Sequence, residues 1–288
     1  EAIRNANPYI VVDFANAPTA EVLTPLLADL NCRVAALNAA VNEKKMSIPP
    51  EEFQRSLQQL ALICEVLETA MGVRLDVGGE RVFIVDDQGS IVPGVSLAVA
   101  IAIMALRANE GGTIVVPVSM PDVFENVAAA HNGKVLRTKV NPQALMQAAS
   151  EEGVIMATDG NGSFIWPTFQ PVVDGMMTVA KLLEFLTTQQ TTLSQALASV
   201  PVFYTWQGEV SCPWESKGTV MRLLNRQYKD HLGDQIDGVK IRLSSEEWVL
   251  LLPDPDRPLF HVYAQADSAS QARSLVEKYK RIVEGLQE

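Results

Sequence analysis

Three short stretches combine residue types that can hold a ligand: Asp76-Val-Gly-Gly-Glu80-Arg81, Asp159-Gly-Asn-Gly-Ser163 and Pro253-Asp-Pro-Asp-Arg257. Their carboxylates can ligate a hard cation or accept hydrogen bonds, and their arginines can meet an anion. Glycine lets a backbone turn tightly enough to approach a ligand. Loops at the carboxyl ends of parallel strands are the usual ligand positions in α/β sheets, and all three stretches are candidates for such places. An isolated glycine-rich turn is otherwise only a turn, so order and context must decide.

Other reactive side chains read as surface or structural residues. His131, His231 and His261 are far apart and share no metal spacing. Lys217, Arg222 and Arg226 stand at helical spacing and read as a solvated basic face in preference to an anion site. Met221, Leu223 and Leu224 read as core, and Trp206, Trp214 and Trp248 as packing of the last domain. Cys32, Cys64 and Cys212 are few, odd in number and widely spaced, which fits reduced thiols in a cytoplasmic protein.

The elements that must position the three loops follow from periodicity. Of 288 residues 48% are apolar and 20% charged, enough to bury a sizeable core in two or three domains. Tyr9–Asp13, Arg33–Asn38 and Arg81–Asp86 read as strands; helices are expected after Pro18, over Glu51–Met71 and over Val95–Leu106. After Gly111-Gly112 the alternation repeats, with strands over Thr113–Val118, Lys134–Lys139 and Val154–Thr158. Helices are expected over Pro121–His131, Pro142–Glu151 and Asp174–Thr188, and Thr187–Thr192 reads as a polar linker. Beyond Pro201 the pattern becomes strand (Val202–Gln207), helix (Trp214–Tyr228), three strands (Val239–Leu243, Trp248–Leu252, Leu259–Ala266) and helix (Ser270–Leu286). Short turns among those three strands favour antiparallel pairing.

Charge and hydropathy narrow the function. Acids outnumber Lys plus Arg by 34 to 23, a net charge of -11 that repels nucleic-acid backbones and anionic lipid. The longest apolar run, Val95–Leu106, falls short of the roughly 20 residues of a bilayer span, so no membrane segment is expected. No signal peptide is visible, and a start at Glu1 without methionine reads as a processed chain or a piece of a longer one.

In order and context the three loops resemble those of the α-D-phosphohexomutase family (phosphomannomutase and phosphoglucomutase), over nearly the whole chain and from its second domain to its fourth. Asp76-Val-Gly78-Gly-Glu80-Arg81 stands where the family has an Asp-x-Asp-x-Asp-Arg metal loop. Thr158-Asp159-Gly160-Asn161-Gly162-Ser163, followed by Phe164, Trp166 and Asp174-Gly175, stands for its Gly-Glu-x-Ser-Gly-His sugar loop. Asp237-Gly-Val-Lys240, Trp248–Leu252, Pro253-Asp254-Pro255-Asp256-Arg257-Pro258 and Gln265-Ala266 follow the order of its last domain, whose phosphate loop reads Arg-Pro-Ser-Gly-Thr-x-Pro. The resemblance implies an α/β fold: two consecutive mixed or parallel-sheet domains of phosphohexomutase type (residues 1–108 and 109–192) and a smaller α+β C-terminal domain (193–288).

The same resemblance assigns roles. It implies sugar contacts at Asp159, Asn161, Gly162 and Ser163, a phosphate-loop position at Asp254, Asp256 and Arg257, and a magnesium position at Asp76 and Glu80. The departures weaken these roles. Gly78 replaces the middle acid of the metal loop, Ser163 replaces a histidine, and Asp254 and Asp256 would repel a phosphate. The family's phosphoryl-carrying Ser-His-Asn-Pro loop is absent, Val140-Asn-Pro142 being the nearest match, so no catalytic residue is expected in this chain. The stretches 159–170, 212–222 and 252–258 are most similar to the mutase-like region behind a mannose-1-phosphate guanylyltransferase domain. The expected function is therefore a catalytically degenerate module of hexose-phosphate and GDP-mannose-type metabolism, attached to an upstream nucleotidyltransferase. The alternative is an active phosphohexomutase whose phosphoserine domain lies upstream. Apart from a weak magnesium site no cofactor is expected; a hexose phosphate is the expected small-molecule partner.

Overall fold

The computed structural model describes residues 1–287. The chain begins α1 (Ala2–Ala6), β1 (Tyr9–Asp13), α2 (Thr19–Asp29), β2 (Arg33–Leu37), α3 (Glu43–Met46), α4 (Pro50–Leu67), β3 (Met71–Leu75), β4 (Val82–Val85) and α5 (Gly94–Ala108). It continues β5 (Gly112–Pro117), α6 (Val123–Ala130), β6 (Gly133–Thr138), α7 (Pro142–Ala149), β7 (Val154–Thr158), β8 (Phe164–Trp166), β9 (Gln170–Val173), α8 (Gly175–Thr188) and α9 (Leu193–Ala198). It ends β10 (Tyr204–Ser211), α10 (Trp214–Gln227), β11 (Val239–Arg242), β12 (Trp248–Pro253), β13 (Leu259–Ala266) and α11 (Ala269–Gly285). The fold is α/β with mixed sheets, as expected. Two compact units emerge among the described residues: 1–116, 124–136 and 142–200 form the first, and 117–123, 137–141 and 201–287 the second.

The first unit carries two sheets. In the order β2-β1-β3-β4, β1 is parallel to both β2 and β3 and β4 is antiparallel to β3. In the order β6-β5-β7-β8-β9, β5 and β7 are parallel, and β8 and β9 close the sheet antiparallel. Ile10, Val11 and Val12 of β1 are fully buried, which is why that strand shows a continuous apolar run and no alternation. All ten residues from Leu97 to Leu106 of α5 are buried, so this helix is covered on every side.

Two expectations in this unit are corrected. The helix expected over Glu51–Met71 stops at Leu67, where Glu68 turns left-handed (φ 50) and its N–H closes back on the Cys64 and Glu65 carbonyls. Met71–Leu75 is instead the fully buried strand β3. Its sequence hid it, because Gly72 and Arg74 are poor strand signals. Gly72 is needed where β3 presses on α4, since a Cβ there would strike Cys64 Sγ and Leu60. Arg74 is tolerated because it lies in register with Asp13 of β1 and pairs with its carboxylate. The polar linker at Thr187–Thr192 is likewise structured. Thr187 and Thr188 belong to α8, and Thr192 forms a capping box with Gln195 that starts α9. Asp87 Oδ1 accepts from Ser194 N at 2.7 Å and Oδ2 from Ser194 Oγ at 2.8 Å. Partial burial opposes that charge, but the Ser194 bonds prevail and hold the carboxyl below its ordinary range.

The second unit has an antiparallel sheet in the order β10-β13-β12-β11, with the antiparallel pairing expected for the last three strands. β10 is longer than Val202–Gln207 and pairs with β13 through Ser211, which sets Glu209 opposite His261. The core joins Val249, Leu251, Phe260 and Val262 of the sheet to Val220 and Leu224 of α10 and Val276 and Val283 of α11. Trp248 is fully buried, but Trp206 and Trp214 are 43% and 52% exposed, contrary to the expectation that all three pack this domain. Each instead lies beneath a cation, Arg273 over Trp206 and Lys217 over Trp214.

Candidate functional site

In the first unit, the loops after β3 and β7 each wrap around their own leading acid. Asp76 Oδ1 accepts from the N–H groups of Glu80 (2.8 Å) and Arg81 (3.0 Å). Asp159 Oδ1 accepts from those of Asn161 (2.7 Å) and Ser163 (3.2 Å). The side-chain oxygen thus satisfies turn donors that no ladder reaches. Gly79, Gly160 and Gly162 all have positive φ, which these tight turns require.

The two loops are locked to each other. Val82 N donates to Gly162 O at 3.0 Å, and Arg81 and Ser163 form a bridge of antiparallel type. Arg81 Nε donates to Ser163 Oγ at 3.2 Å, and its Nη2 lies 3.9 Å from Asp159 Oδ2. Gly175 N, at the start of α8, donates to Gly79 O at 2.8 Å. A Cβ on Gly162 would come within 2.5 Å of Val82 O, and one on Gly94 within 2.5 Å of Gly160 O. The structure therefore brings together Asp76, Glu80, Asp159, Asn161, Gly162 and Ser163. It adds Arg81, whose role in joining the loops lies in contacts across the sequence.

The chemistry of the first loop does not fit a magnesium ion. Such an ion asks for near-octahedral coordination by hard oxygens. Here one Asp76 oxygen is committed to two N–H groups, Gly78 contributes no side chain, and Glu80 is exposed. Among the described residues no three His, Cys, Asp or Glu side chains cluster as a metal would need. The second loop offers a different surface: the exposed Asn161 side chain and Asp159, with Ser163 buried behind them.

In the second unit the loop after β12 is tied to an internal carboxylate. Asp254 is buried, and its Oδ1 accepts from Asp256 N and Arg257 N, both at 2.8 Å. Its Oδ2 meets Arg257 Nε at 3.0 Å, Arg257 Nη2 at 2.9 Å and His261 Nε2 at 2.8 Å. The Asp256 N–H, followed by His261 and Arg257, holds the Asp254 carboxyl well below the usual carboxylate range. Arg257 also reaches Glu209 Oε1 at 3.0 Å, and the two carboxylates push its pKa up. Lys217 Nζ donates to the carbonyls of Asp254 and Arg257, each at 2.5 Å. The solvated basic face expected of Lys217, Arg222 and Arg226 therefore holds only for the last two, which are exposed. His261 has the structural role expected of it. Glu209, Lys217 and His261 belong to the loop's surroundings although sequence spacing does not connect them to it. Asp256 is exposed. Elsewhere, Gly238 of Asp237-Gly-Val-Lys240 has φ +60 and its Cα packs on the Leu251 carbonyl, while Lys240 Nζ donates to Val118 O at 3.1 Å.

Residues 94–203 match the model for phosphoglucomutase/phosphomannomutase, alpha/beta/alpha domain III, a stretch that begins with α5 and ends beyond α9. Similarity extends further along the chain. A phosphoglucomutase/phosphomannomutase of Thermococcus kodakarensis is 27% identical over 285 residues, covering 99% of this chain and 62% of the relative. A probable phosphoglucosamine mutase of Methanopyrus kandleri is 30% identical over 277 residues, covering 95% and 61%. Both of these relatives carry the names of hexose-phosphate mutases. The chain spans less than two thirds of the length of these two. The phosphohexomutase fold is also found by shape. A phosphoglucomutase/phosphomannomutase family protein from Burkholderia thailandensis superposes with a TM-score of 0.81 at 19% identity, covering 99% of this chain and 63% of that one. The N-acetylphosphoglucosamine mutase of Aspergillus fumigatus, in complex with GlcNAc-6P and magnesium, gives 0.68 at 13% identity, covering 98% and 67%.

Proposed function

We propose that this chain is a catalytically silent phosphohexomutase-type module of hexose-phosphate and nucleotide-sugar metabolism, serving as the C-terminal part of a mannose-1-phosphate guanylyltransferase. The observation that carries the silent reading is Asp254. The N–H groups of Asp256 and Arg257 and the Arg257 guanidinium are the donors a phosphate would need, and all are engaged by a carboxylate of the same loop. The missing acid at Gly78 supports the same conclusion for the metal loop. The resemblance of residues 159–170, 212–222 and 252–258 to the mutase-like region of such transferases supports the fusion. The sugar loop, with Asp159 and Asn161 on its outer side, is the part that would contact a hexose phosphate. Three free thiols fit a cytoplasmic setting, and no helix among the described residues is long and apolar enough to cross a membrane.

The second reading, an active mutase completed by an upstream phosphoserine domain, is favoured by the locking of the Asp76 and Asp159 loops through Arg81. One experiment separates the two. The native polypeptide is isolated, its mass and N-terminal peptides are determined, and it is assayed for interconversion of mannose 1- and 6-phosphate beside an Asp76→Ala variant. The silent reading expects an upstream transferase domain and no turnover in either form. Turnover that falls by orders of magnitude in Asp76→Ala would establish the active reading.

A further inference from the structure

A cavity of about 570 Å³ opens in the first unit, and none of its lining residues belongs to the three loops above. That volume lies within the range of small-molecule sites. The cavity sits where such a sheet favours a ligand. The chain runs from β1 outward to β2 and then returns to β3 on the other side of β1, and ligands settle beyond the carboxyl ends of strands at such a reversal. Asn16 follows β1, Asn38 follows β2, and Arg74 stands near the end of β3; all three line the cavity. At this rim Ala15, Asn16 and Asn38 are held at φ 53, 57 and 50, a left-handed conformation that asparagine tolerates and alanine disfavours.

The lining is basic in a chain of net charge -11. Lys44, Lys45 and Arg55 face it without an ion pair among the described residues, and Glu52 is the one acid among the described lining residues. Beneath them Arg74 is 5% exposed. Asp13 takes one of its nitrogens, and its Nε has no hydrogen-bond partner. Asn16 and Asn38 each give one amide N–H to the chain, to Ala40 O and Asp13 Oδ1, and their side-chain carbonyl oxygens can accept from hydroxyls.

We infer that this cavity binds a phosphate monoester of a hydroxyl-rich small molecule, with the dianion on Lys44, Lys45 and Arg55 and the hydroxyls on Asn16 and Asn38. The cations select for charge, and the asparagines for a sugar ring in place of a bare anion. The site is separate from the loops of the proposed function and stands whether or not those loops bind anything.

Isothermal titration of the 288-residue chain tests it with mannose 6-phosphate, GMP, inorganic phosphate and mannose. Saturable binding is expected for at least one phosphorylated probe, weaker binding for inorganic phosphate, and none for mannose. A preference for mannose 6-phosphate or for GMP would say whether a hexose or a nucleoside carries the phosphate. Arg55→Ala and Lys45→Ala should each weaken binding about tenfold, the loss of one charge-assisted hydrogen bond. Arg55→Lys should restore part of it, and the melting temperatures should be unchanged because both side chains are exposed. Asn161→Ala in the sugar loop should leave the affinity as it was. No saturable binding by any phosphorylated probe at millimolar concentration would overturn the inference. So would binding that Asn161→Ala abolishes and Arg55→Ala leaves intact.

Discussion

Asp254 Oδ2 and His261 Nε2 lie 2.8 Å apart, at the facing ends of β12 and β13, with Arg257 on the same carboxylate oxygen. The carboxyl pKa is depressed on folding. The stability it contributes is therefore complete above the unfolded aspartate value of about 3.9 and drains away as pH falls toward the folded value. Asp254→Asn keeps the shape and loses the charge. Its melting temperature should be several degrees below that of the parent at neutral pH, and the gap should narrow below about pH 4. A gap that stays constant in melts between neutral and acid pH would sink this account.

The same carboxylate blocks its own loop. Asp254→Ser leaves the Asp256 and Arg257 N–H groups without their internal anion and the guanidinium with Glu209 alone. Added phosphate should then raise the variant's melting temperature in a concentration-dependent way, by linkage, with a clearly smaller effect on the parent. Equal shifts in the two proteins would show that the donors were not held in check by Asp254. Making the comparison in an Arg55→Ala background reduces the share of any binding in the basic cavity equally in both proteins.

Gly78→Asp should be well tolerated. The position is outside the left-handed region, and an added Cβ would meet its nearest atom, Glu80 Cγ, at an ordinary 3.4 Å. The third carboxylate should tighten magnesium binding measured by calorimetry, because hard-cation affinity grows with oxygen ligands of the right charge. Unchanged affinity in a folded variant would count against reading residues 76–81 as the counterpart of a metal loop.

Two glycines with similar φ should behave differently. Gly162 has φ +92, and a Cβ would come within 2.5 Å of Val82 O; Gly153 has φ +80 with nothing within 4 Å. Gly153→Ala should cost about 1 kcal/mol, the left-handed penalty alone, and Gly162→Ala about 2–4 kcal/mol because backbone must also move. Urea titrations of the two variants measure the difference directly, and equal costs would mean that the loops are not packed against each other.

The parts of the fold visible in the sequence are those whose burial shows within a local window. β1 announces itself as an apolar run, α5 as a longer one, and the three last strands by their spacing. β3 was concealed because its glycine and arginine are answers to neighbours, Cys64 and Leu60 on α4 and Asp13 on β1, that no local window contains. The leading acids and glycines of the candidate loops were legible for a similar reason, since Asp76 and Asp159 serve N–H groups only a few residues on. Arg81 with Ser163, and Lys217 and Glu209 with the Asp254 loop, act across 82, 37–40 and 48 residues of chain. Lys217 read as surface because its spacing with Arg222 and Arg226 describes a helix face without saying which member of it reaches a carbonyl.

The bond from Val82 to the Gly162 carbonyl and the Arg81–Ser163 contact have a consequence for synthesis and for fragment design. Loop closure over 82 residues can be made only once the ribosome has released residue 163, however early the first sheet assembles. A truncated chain ending at residue 116 would retain every strand of that sheet and still leave Val82 N–H, Gly79 O and the Arg81 guanidinium without the partners they have in the intact molecule. The smallest piece able to reproduce the joined Asp76 and Asp159 loops therefore reaches into α8.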